Sequence, residues 1–272
     1  MTAVNFNAFG IYWVQSVVRF FHPLMSITKQ LYPMIMSPIE ANLQQIRHEM
    51  AATIARLEQD CRQNVILVAI SKTKSAAKVR EAYLAGQLDF GENYVQEGVA
   101  KIAELAKLGI SHQQGLVWHF VGPLQSNKAK LVAQYFDWAH GVDRLKIAQL
   151  LSLHRGATTE LAAPLNICLQ VNISGEVSKS GISRHEVPLL AAQVALLPNI
   201  KLRGLMTIIE NTRNTRVQRA QFRQMRTLWV QLLHSGLVID TLSMGMSQDF
   251  KMAIEEGATM IRIGSAIFGE RN

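Results

Sequence analysis

The sequence predicts an α/β protein that folds as a single (β/α)8 TIM barrel, and three observations support that prediction. Short runs of apolar, β-branched residues alternate eight times with stretches of helical periodicity, which is typical of a parallel sheet with right-handed crossovers. The repeating part spans about 230 residues, a length that suits a closed barrel of eight units. An open doubly wound sheet is the alternative, but it favours a glycine-rich turn after the first strand, where this chain has Ser71-Lys72-Thr73-Lys74.

The strands are predicted from apolar runs bounded by polar or small residues. The first run is apolar from residue 65 to residue 70 and rich in Val and Ile, so we expect a strand that is buried on both faces and ends at Lys72. In chain order, the predicted strands are residues 65–72, 88–91, 117–121, 138–142, 165–173, 202–208, 239–244 and 260–263.

Helices are predicted before the first strand and after each strand, from apolar residues spaced by three and four positions. In order they cover residues 39–61, 76–85, 94–108, 126–135, 143–153, 183–197, 217–234 and 248–256, with a final turn at 266–268. The predicted start signals are Ser37-Pro38, Ser126, Asp143, the capping box Ser183-x-x-Glu186, and Ser247.

Composition describes a globular chain with ample material for a core. The 272 residues are 49% hydrophobic and 18% charged, with a net charge of +8. Only two cysteines are present, Cys61 and Cys168, which excludes a disulfide framework, and no Cys/His spacing predicts a metal site. Cys168 lies in an apolar run and is predicted to be a buried thiol. A reducing, cytoplasmic location follows as the expectation.

Residues 1–36 differ from the rest of the chain. They are rich in aromatic residues and hold only two basic residues, Arg19 and Lys29. The apolar stretch at 11–21 is too short to span a bilayer and lacks the basic flank of a secretory signal. A membrane-surface helix is one alternative. We expect an N-terminal extension outside the fold, read from an upstream start, with residues 37–272 forming the barrel.

Lys72 is the first candidate functional residue, because it ends a buried strand at the position where barrels carry their chemistry. A partly desolvated amine loses its proton more easily and can attack an aldehyde. The alternative is a lysine that extends from a strand end into water. The strand taken alone favours that alternative, and the rest of the chain reverses the preference.

The loops after the seventh and eighth strands predict a phosphate site. Barrels often bind phosphate there, on free N–H groups at the start of a short helix. Ser247, Gly264 and Ser265 offer such N–H groups and hydroxyls, and Gly264 permits close backbone approach. Each serine alone would be explained as a helix cap, but two small polar turns on adjacent loops favour the phosphate site.

Arg262 alternates with two isoleucines in the eighth strand and is expected to point into the barrel mouth. A buried arginine needs a partner, which would be either a structural carboxylate such as Glu92 or Asp143, or a ring nitrogen of a cofactor. A lysine for an aldehyde, a phosphate site and a partner for a pyridine nitrogen together describe pyridoxal 5′-phosphate (PLP).

At the level of motifs, the chain resembles the pyridoxal phosphate homeostasis proteins, whose fold is like the barrel domain of alanine racemase. The resemblance runs in order from about residue 39 to the end. The matching stretches are AISKTK (69–74), FGENYVQE (90–97), WHFVGPLQSNK (118–128), QVNIS (170–174), KSG (179–181), RGLM (203–206), LSMGMS (242–247) and RIGSAIFG (262–269).

The resemblance implies a role for six residues in holding PLP. Lys72 would form a Schiff base with the aldehyde and Asn93 would lie near the cofactor. The phosphate would be held by Ser247, Gly264 and Ser265, with Arg262 facing the pyridine nitrogen. Neither a catalytic nor a metal-binding residue is implied. The family is regarded as a PLP carrier and a regulator of vitamin B6 and amino-acid pools.

A PLP-dependent amino-acid racemase or lyase is the alternative function. It would need a second acid or base opposite Lys72, and His119 is the one candidate, although an interior structural histidine fits it better. A cationic Arg262 would leave the ring a weak electron sink. The chain stops after the eighth unit, so we expect it to lack the further β-domain of racemases and to be a monomer.

Three other partner expectations follow. Transfer of PLP to dependent apoenzymes is one, and the absence of a membrane partner is another. The third concerns a basic stripe on the sixth crossover helix, which could contact nucleic acid but is more typical of a solvated face. The stripe consists of Arg213, Arg216, Arg219, Arg223 and Arg226.

Overall fold

Eight parallel strands close into a barrel in chain order, with the eighth strand paired to the first. The structure is a computed structural model that describes residues 36–59, 63–157, 161, 163–176 and 179–270. The strands are β1 (Ile66–Ile70), β2 (Asp89–Glu92), β3 (Val117–Phe120), β4 (Trp138–Val142), β5 (Leu165–Gln170), β6 (Ile200–Met206), β7 (Thr241–Ser243) and β8 (Met260–Ile263). The predicted (β/α)8 barrel is therefore confirmed.

Helices surround the barrel, one before β1 and at least one after every strand. They are α1 (Pro38–Ala55), α2 (Ala76–Leu84), α3 (Val95–Ala106), α4 (Ala129–Tyr135), α5 (Leu145–Gly156), α6 (Val187–Ala195), α7 (Thr215–His234), α8 (Phe250–Glu255) and α9 (Ser265–Phe268). None of the helices in the described part of the chain has the length and apolarity needed to cross a membrane.

Two apolar cores hold the fold together. The larger lies between the outer faces of the strands and the helices. The smaller joins residues from β1, β4, β5, β6 and β8, and side chains from strands so far apart can meet only inside the barrel. Its members are Val68, Trp138, Cys168, Met206 and Met260. The predicted burial of Cys168 is confirmed, and burial raises the pKa of its thiol to about 12.

Several predicted strand boundaries moved by one to three residues; the first strand, for example, ends at Ile70 and not at Lys72. Two of the shifts have a local cause. The fifth strand ends at Gln170 instead of residue 173, because Val171 makes only an isolated bridge to Ile182. The sixth begins earlier, at Ile200, directly after Asn199 turns the chain with a φ of 62°. Left-handed backbone is tolerated by asparagine, which explains how α6 ends and β6 begins within so few residues.

Predicted helix caps were the least successful part of the sequence analysis. Ser126 is not an N-cap, because it opens a short 3-10 turn that precedes α4. Asp143 is not the cap of α5, which begins at Leu145; its carboxylate instead accepts a hydrogen bond from Arg144.

Of the other three start signals, Ser37-Pro38 is confirmed, because α1 begins at Pro38, and two differ from the helix boundaries. Ser183 does bond to Glu186 as a capping box would, but regular helix α6 begins only at Val187. Ser247 is not an N-cap: Asp249 precedes α8, and its carboxylate accepts from the Met246 N–H at 2.5 Å. Ser247 is thereby left available in the loop after β7.

The predicted N-terminal extension, residues 1–36, lies outside the described residues except for Met36, as does Cys61. Residues 39–272 form one compact unit. The predicted boundary between extension and barrel stays a prediction.

Candidate cofactor-binding site

The six predicted binding residues lie at the carboxyl ends of four neighbouring strands, β7, β8, β1 and β2. Lys72 follows β1 by two residues and Asn93 comes directly after β2. Ser247 lies in the loop after β7, while Gly264 and Ser265 come directly after β8. Because β8 pairs with β1, residues from late and early in the chain share one side of the barrel mouth. The remaining predicted residue, Arg262, is in β8 itself.

A buried ammonium group holds the backbone next to Lys72. The Nζ of Lys101, on α3, donates to the main-chain oxygen of Ser71 at 2.6 Å and to Oε1 of both Glu92 and Glu97 at 2.7 Å. The Ser71 hydroxyl also donates to Glu92 Oε1, at 2.6 Å. This cluster fixes the strand end because Lys101 and Glu92 form an ion pair that is almost fully shielded from solvent, although the second carboxylate oxygen of Glu92 has no hydrogen-bond partner among the described residues.

The same cluster fixes the residue after Lys72. Thr73 has a φ of 63°, an uncommon conformation for a β-branched residue, and its N–H donates to Glu97 Oε1 at 2.5 Å. Burial raises the pKa of Glu92, while the adjacent Lys101 ammonium acts in the opposite direction. Lys72, itself half-buried, therefore stands on a backbone segment held on both sides.

The two loops predicted to bind phosphate do come together. The hydroxyl oxygens of Ser247 and Ser265 lie 3.4 Å apart. A side chain at Gly264 would place its Cβ only 3.3 Å from the main-chain oxygen of Ile70, so this glycine lets the loop pack against the end of β1. Within the described residues, the N–H groups of Ser247, Gly264 and Ser265 have no hydrogen-bond acceptor. These donors and hydroxyls together fit an anion such as a phosphate.

Arg262 is buried inside the barrel near its mouth. Its Nη1 donates to the Ser243 hydroxyl at 2.7 Å and its Nη2 to the main-chain oxygen of Thr207 at 2.8 Å. Burial lowers the pKa of its guanidinium to about 10, which still leaves it a cation at neutral pH. Neither expected carboxylate partner is correct, because Glu92 pairs with Lys101 and Asp143 with Arg144.

Asn93 is positioned by close backbone contacts across the top of three strands. A Cβ on Gly122 would lie 2.3 Å from the Asn93 main-chain oxygen, and one on Gly141 would lie 2.3 Å from the Gly122 oxygen. Only glycine allows these approaches, so the position of Asn93 depends on small residues after β3 and in β4.

The Lys101 cluster was not predicted, although the position of Lys101 in the sequence indicates it. Lys101 occupies the buried face of α3, in register with Val95, Gly98 and Leu105. A charged residue at an apolar helical position indicates a buried partner. Lys74, two residues beyond Lys72, donates to the Glu270 main-chain oxygen at 2.7 Å.

His119 is an interior histidine, as the structural interpretation of this residue predicted. Its ring is fully buried, stacks on Trp138 and bonds to His140 and Asp89. Among the described residues, no group of His, Cys, Asp and Glu side chains is arranged to hold a metal ion.

The basic stripe on α7 is partly neutralised within the chain. Arg219 bonds to Glu255 and Glu256, and Arg223 also bonds to Glu256. These contacts reduce the positive charge that the stripe offers to an outside partner, and they agree with a solvated surface helix.

Known proteins and one family model are similar to this chain in sequence. The family model for the alanine racemase N-terminal domain matches residues 41–272. A Pseudomonas aeruginosa protein named pyridoxal phosphate homeostasis protein is 55% identical over 206 residues, covering 76% of this chain and 84% of its own. An Escherichia coli K12 protein of the same name is 49% identical, covering 87% of this chain and 98% of its own.

Solved structures with a similar fold agree with these matches. PipY of Synechococcus elongatus with PLP bound has a TM-score of 0.71 and 37% identity, covering 85% of this chain and all of that one. An alanine racemase of Clostridium difficile has a TM-score of 0.59 at 16% identity, and the match covers 57% of its length. The racemase comparison supports the fold alone.

Proposed function

This chain belongs to the family of pyridoxal phosphate homeostasis proteins, which carry the alanine racemase N-terminal domain, and on that premise we propose that it binds PLP and acts in vitamin B6 and amino-acid/keto-acid homeostasis. The observation that carries the proposal is the junction of β8 with β1. It brings the loops after β7 and β8 beside the strand that leads to Lys72, with two hydroxyls and three N–H groups that have no acceptor among the described residues.

In this proposal each of the six residues has one task. PLP supplies an aldehyde for reversible covalent attachment and a phosphate for tight binding. Lys72 would hold that aldehyde covalently, as a Schiff base, through its side-chain amine. Ser247, Gly264 and Ser265 donate to the phosphate oxygens. Asn93 would line the mouth beside the cofactor, and Arg262 would face the pyridine nitrogen.

We propose that the chain has no catalytic turnover, and the charge of Arg262 supports this. A guanidinium beside the pyridine nitrogen opposes its protonation, so negative charge on a bound amino acid would be poorly stabilised. His119, the candidate second base, is buried away from solvent and already bonded on both ring nitrogens. Exchange of α-protons in deuterated water separates the two functions: sustained exchange of amino-acid α-protons would indicate a racemase or lyase.

Three further expectations belong to the proposal. The protein is a monomer that passes PLP to dependent apoenzymes, and a cytoplasmic location follows from its cysteine usage. Light scattering tests the first. A kinetic assay tests the second: PLP should pass to an apoenzyme faster than it is released into buffer.

The absorption spectrum tests the central proposal. The purified protein mixed with PLP should gain a visible band that borohydride abolishes while fixing the cofactor to a peptide containing Lys72. Lys72→Ala should lose the covalent label, and Lys78→Ala, an exposed lysine on α2, should keep it. A wild-type protein that gains no band, or a Lys72→Ala variant labelled like wild type, would overturn the proposal.

A further inference from the structure

A continuous chain of polar side chains crosses the interior of the barrel. The Arg262 Nη1 donates to the Ser243 hydroxyl at 2.7 Å, and that oxygen lies 3.0 Å from Nδ1 of His140. The Nε2 of His140 lies 3.0 Å from Nδ1 of His119, whose Nε2 lies 3.0 Å from the Asp89 carboxylate. Five residues from five strands are thus joined side chain to side chain.

The chain connects the two ends of the barrel. Arg262 bonds to the oxygen of Thr207, which follows β6, so its guanidinium is near the carboxyl ends of the strands. Asp89 is the first residue of β2 and lies at the opposite end. Its side chain is 26% exposed, whereas the His119 side chain is fully buried. The terminal carboxylate is therefore the member that solvent reaches.

Hydrogen-bond chemistry sets one direction for the whole chain. A carboxylate only accepts, so Asp89 takes the Nε2 proton of His119. The Ser243 oxygen accepts from Arg262, and within this chain its own proton can go only to Nδ1 of His140. His140 then donates from Nε2 and accepts at Nδ1 from the Ser243 hydroxyl. Every bond points from the guanidinium towards the carboxylate.

The charge state of His140 agrees with that order. Burial, together with the nearby His119 and Arg262, holds the pKa of His140 well below its usual range. A neutral imidazole carries one proton, so its two bonds require one donor and one acceptor nitrogen. In the opposite order the Ser243 proton and the Asp89 carboxylate would both lose their partner within the chain.

Packing alone would not call for such a chain. Apolar residues such as Val68, Trp138 and Cys168 also fill the interior, and buried polar groups stabilise a fold only when every one of them is satisfied. Apolar side chains of the same volume would avoid the desolvation cost. The feature that these polar residues provide, and that apolar ones could not, is an acceptor for the Arg262 guanidinium connected to a distant negative charge.

We propose that Ser243, His140 and His119 are positioning residues for Arg262, and that Asp89 sets the direction of their hydrogen bonds. The chain holds the guanidinium at the mouth as a charged donor. The inference rests on the proposed function only in its last step, where that guanidinium faces the ring nitrogen of PLP.

Nitrogen-15 NMR of the cofactor-free protein tests the chain directly. Long-range ring correlations at neutral pH should show His119 and His140 both neutral and protonated on Nε2. A charged His119, or a His140 protonated on Nδ1, would overturn the proposed order. These measurements need no PLP, so they decide the inference even if the proposed function fails.

Variants then test what sets the direction. Asp89→Asn keeps the shape but can donate as well as accept, so we expect a second His119 form protonated on Nδ1 and faster rotation of the Arg262 guanidinium. Identical spectra of Asp89→Asn and wild type, at both histidines and at Arg262, would overturn the role of Asp89.

The positioning role is tested by the affinity and the absorption maximum of bound PLP. Ser243→Ala should weaken PLP binding about tenfold, as loss of one hydrogen bond to a charged group predicts, and shift the absorption maximum of the bound cofactor. Ser243→Thr, which keeps the hydroxyl, should restore both. Ser152→Ala, a buried serine that bonds to Pro198 outside the barrel interior, is the matched control. An unchanged absorption maximum and affinity in Ser243→Ala would refute the positioning role.

Discussion

The ammonium group of Lys101 lies 2.6 Å from the main-chain oxygen of Ser71, one residue before Lys72. A charge on the α3 helix therefore holds the end of the β1 strand. Glu92 and Glu97 neutralise that charge, and each of them also bonds to the segment around Lys72. The backbone that carries Lys72 is thus held by residues outside the six proposed to bind the cofactor.

Replacing Lys101 with methionine should destabilise the fold strongly. The change leaves Glu92 buried without its cation, and breaking a buried ion pair by removing one partner costs about 3–5 kcal/mol. Urea unfolding followed by circular dichroism measures the loss. The exposed Lys78→Met is the control and should change stability by less than about 0.5 kcal/mol. Equal stability of the two variants would show that the cluster contributes little.

Loss of a loop hydroxyl should weaken binding of PLP without affecting its covalent attachment. Ser265→Ala and Ser247→Ala each remove one donor to the phosphate, and a hydrogen bond to a charged group contributes about 1.5–3 kcal/mol. Fluorescence titration should therefore show at least about a tenfold weaker Kd for each variant. Binding of pyridoxal, which has no phosphate, should be unchanged. A loss of pyridoxal binding equal to that of PLP would argue against a phosphate site in these loops.

An alanine at Gly122 should disturb the mouth through the backbone of Asn93. The added Cβ would stand 2.3 Å from the Asn93 oxygen, so the loop after β2 must move. Overpacking of this kind costs about 1–3 kcal/mol. The control is Gly109→Ala, where a Cβ meets nothing within 4 Å and the cost is that of a φ of 72° alone. Thermal unfolding compares the two, and PLP binding should fall only in Gly122→Ala.

Cys168 should make the protein less stable in alkali. Its pKa is raised by burial from 9.0 to about 12, so the folded state keeps the thiol proton where the unfolded chain releases it. The stabilisation is complete below pH 9 and is lost as the pH rises towards 12. Between these values the free energy of unfolding should fall by about 1.4 kcal/mol per pH unit more than in Cys168→Ala. Parallel pH profiles of the two proteins would contradict the buried thiol.

The sequence predicted the barrel because each strand and helix carries its own local pattern. It also predicted that the six candidate residues meet at one mouth, since strand ends of a parallel barrel share one face; that these residues bind PLP stays a prediction. It did not predict the contacts of Arg262, because alternation shows where a side chain points but not what it meets. Ser243 and Thr207 come from strands whose register only the closed barrel defines.

Cap predictions failed for a related reason. Ser126, Asp143 and Ser247 each stand just ahead of a helical pattern, yet the chain takes extra residues to turn before each regular helix begins. The length of a loop at the barrel mouth depends on tertiary packing, which local preference does not encode. In the case of Ser247, the shorter helix leaves the serine beside Ser265.

The pairing of β8 with β1 also determines when the proposed binding site can form during synthesis of the chain. On the ribosome, Lys72 emerges long before the residues that would grip the phosphate. The nascent chain therefore exposes Lys72 before the barrel is closed. The proposed phosphate site can form only once β8 has left the exit tunnel and paired with β1.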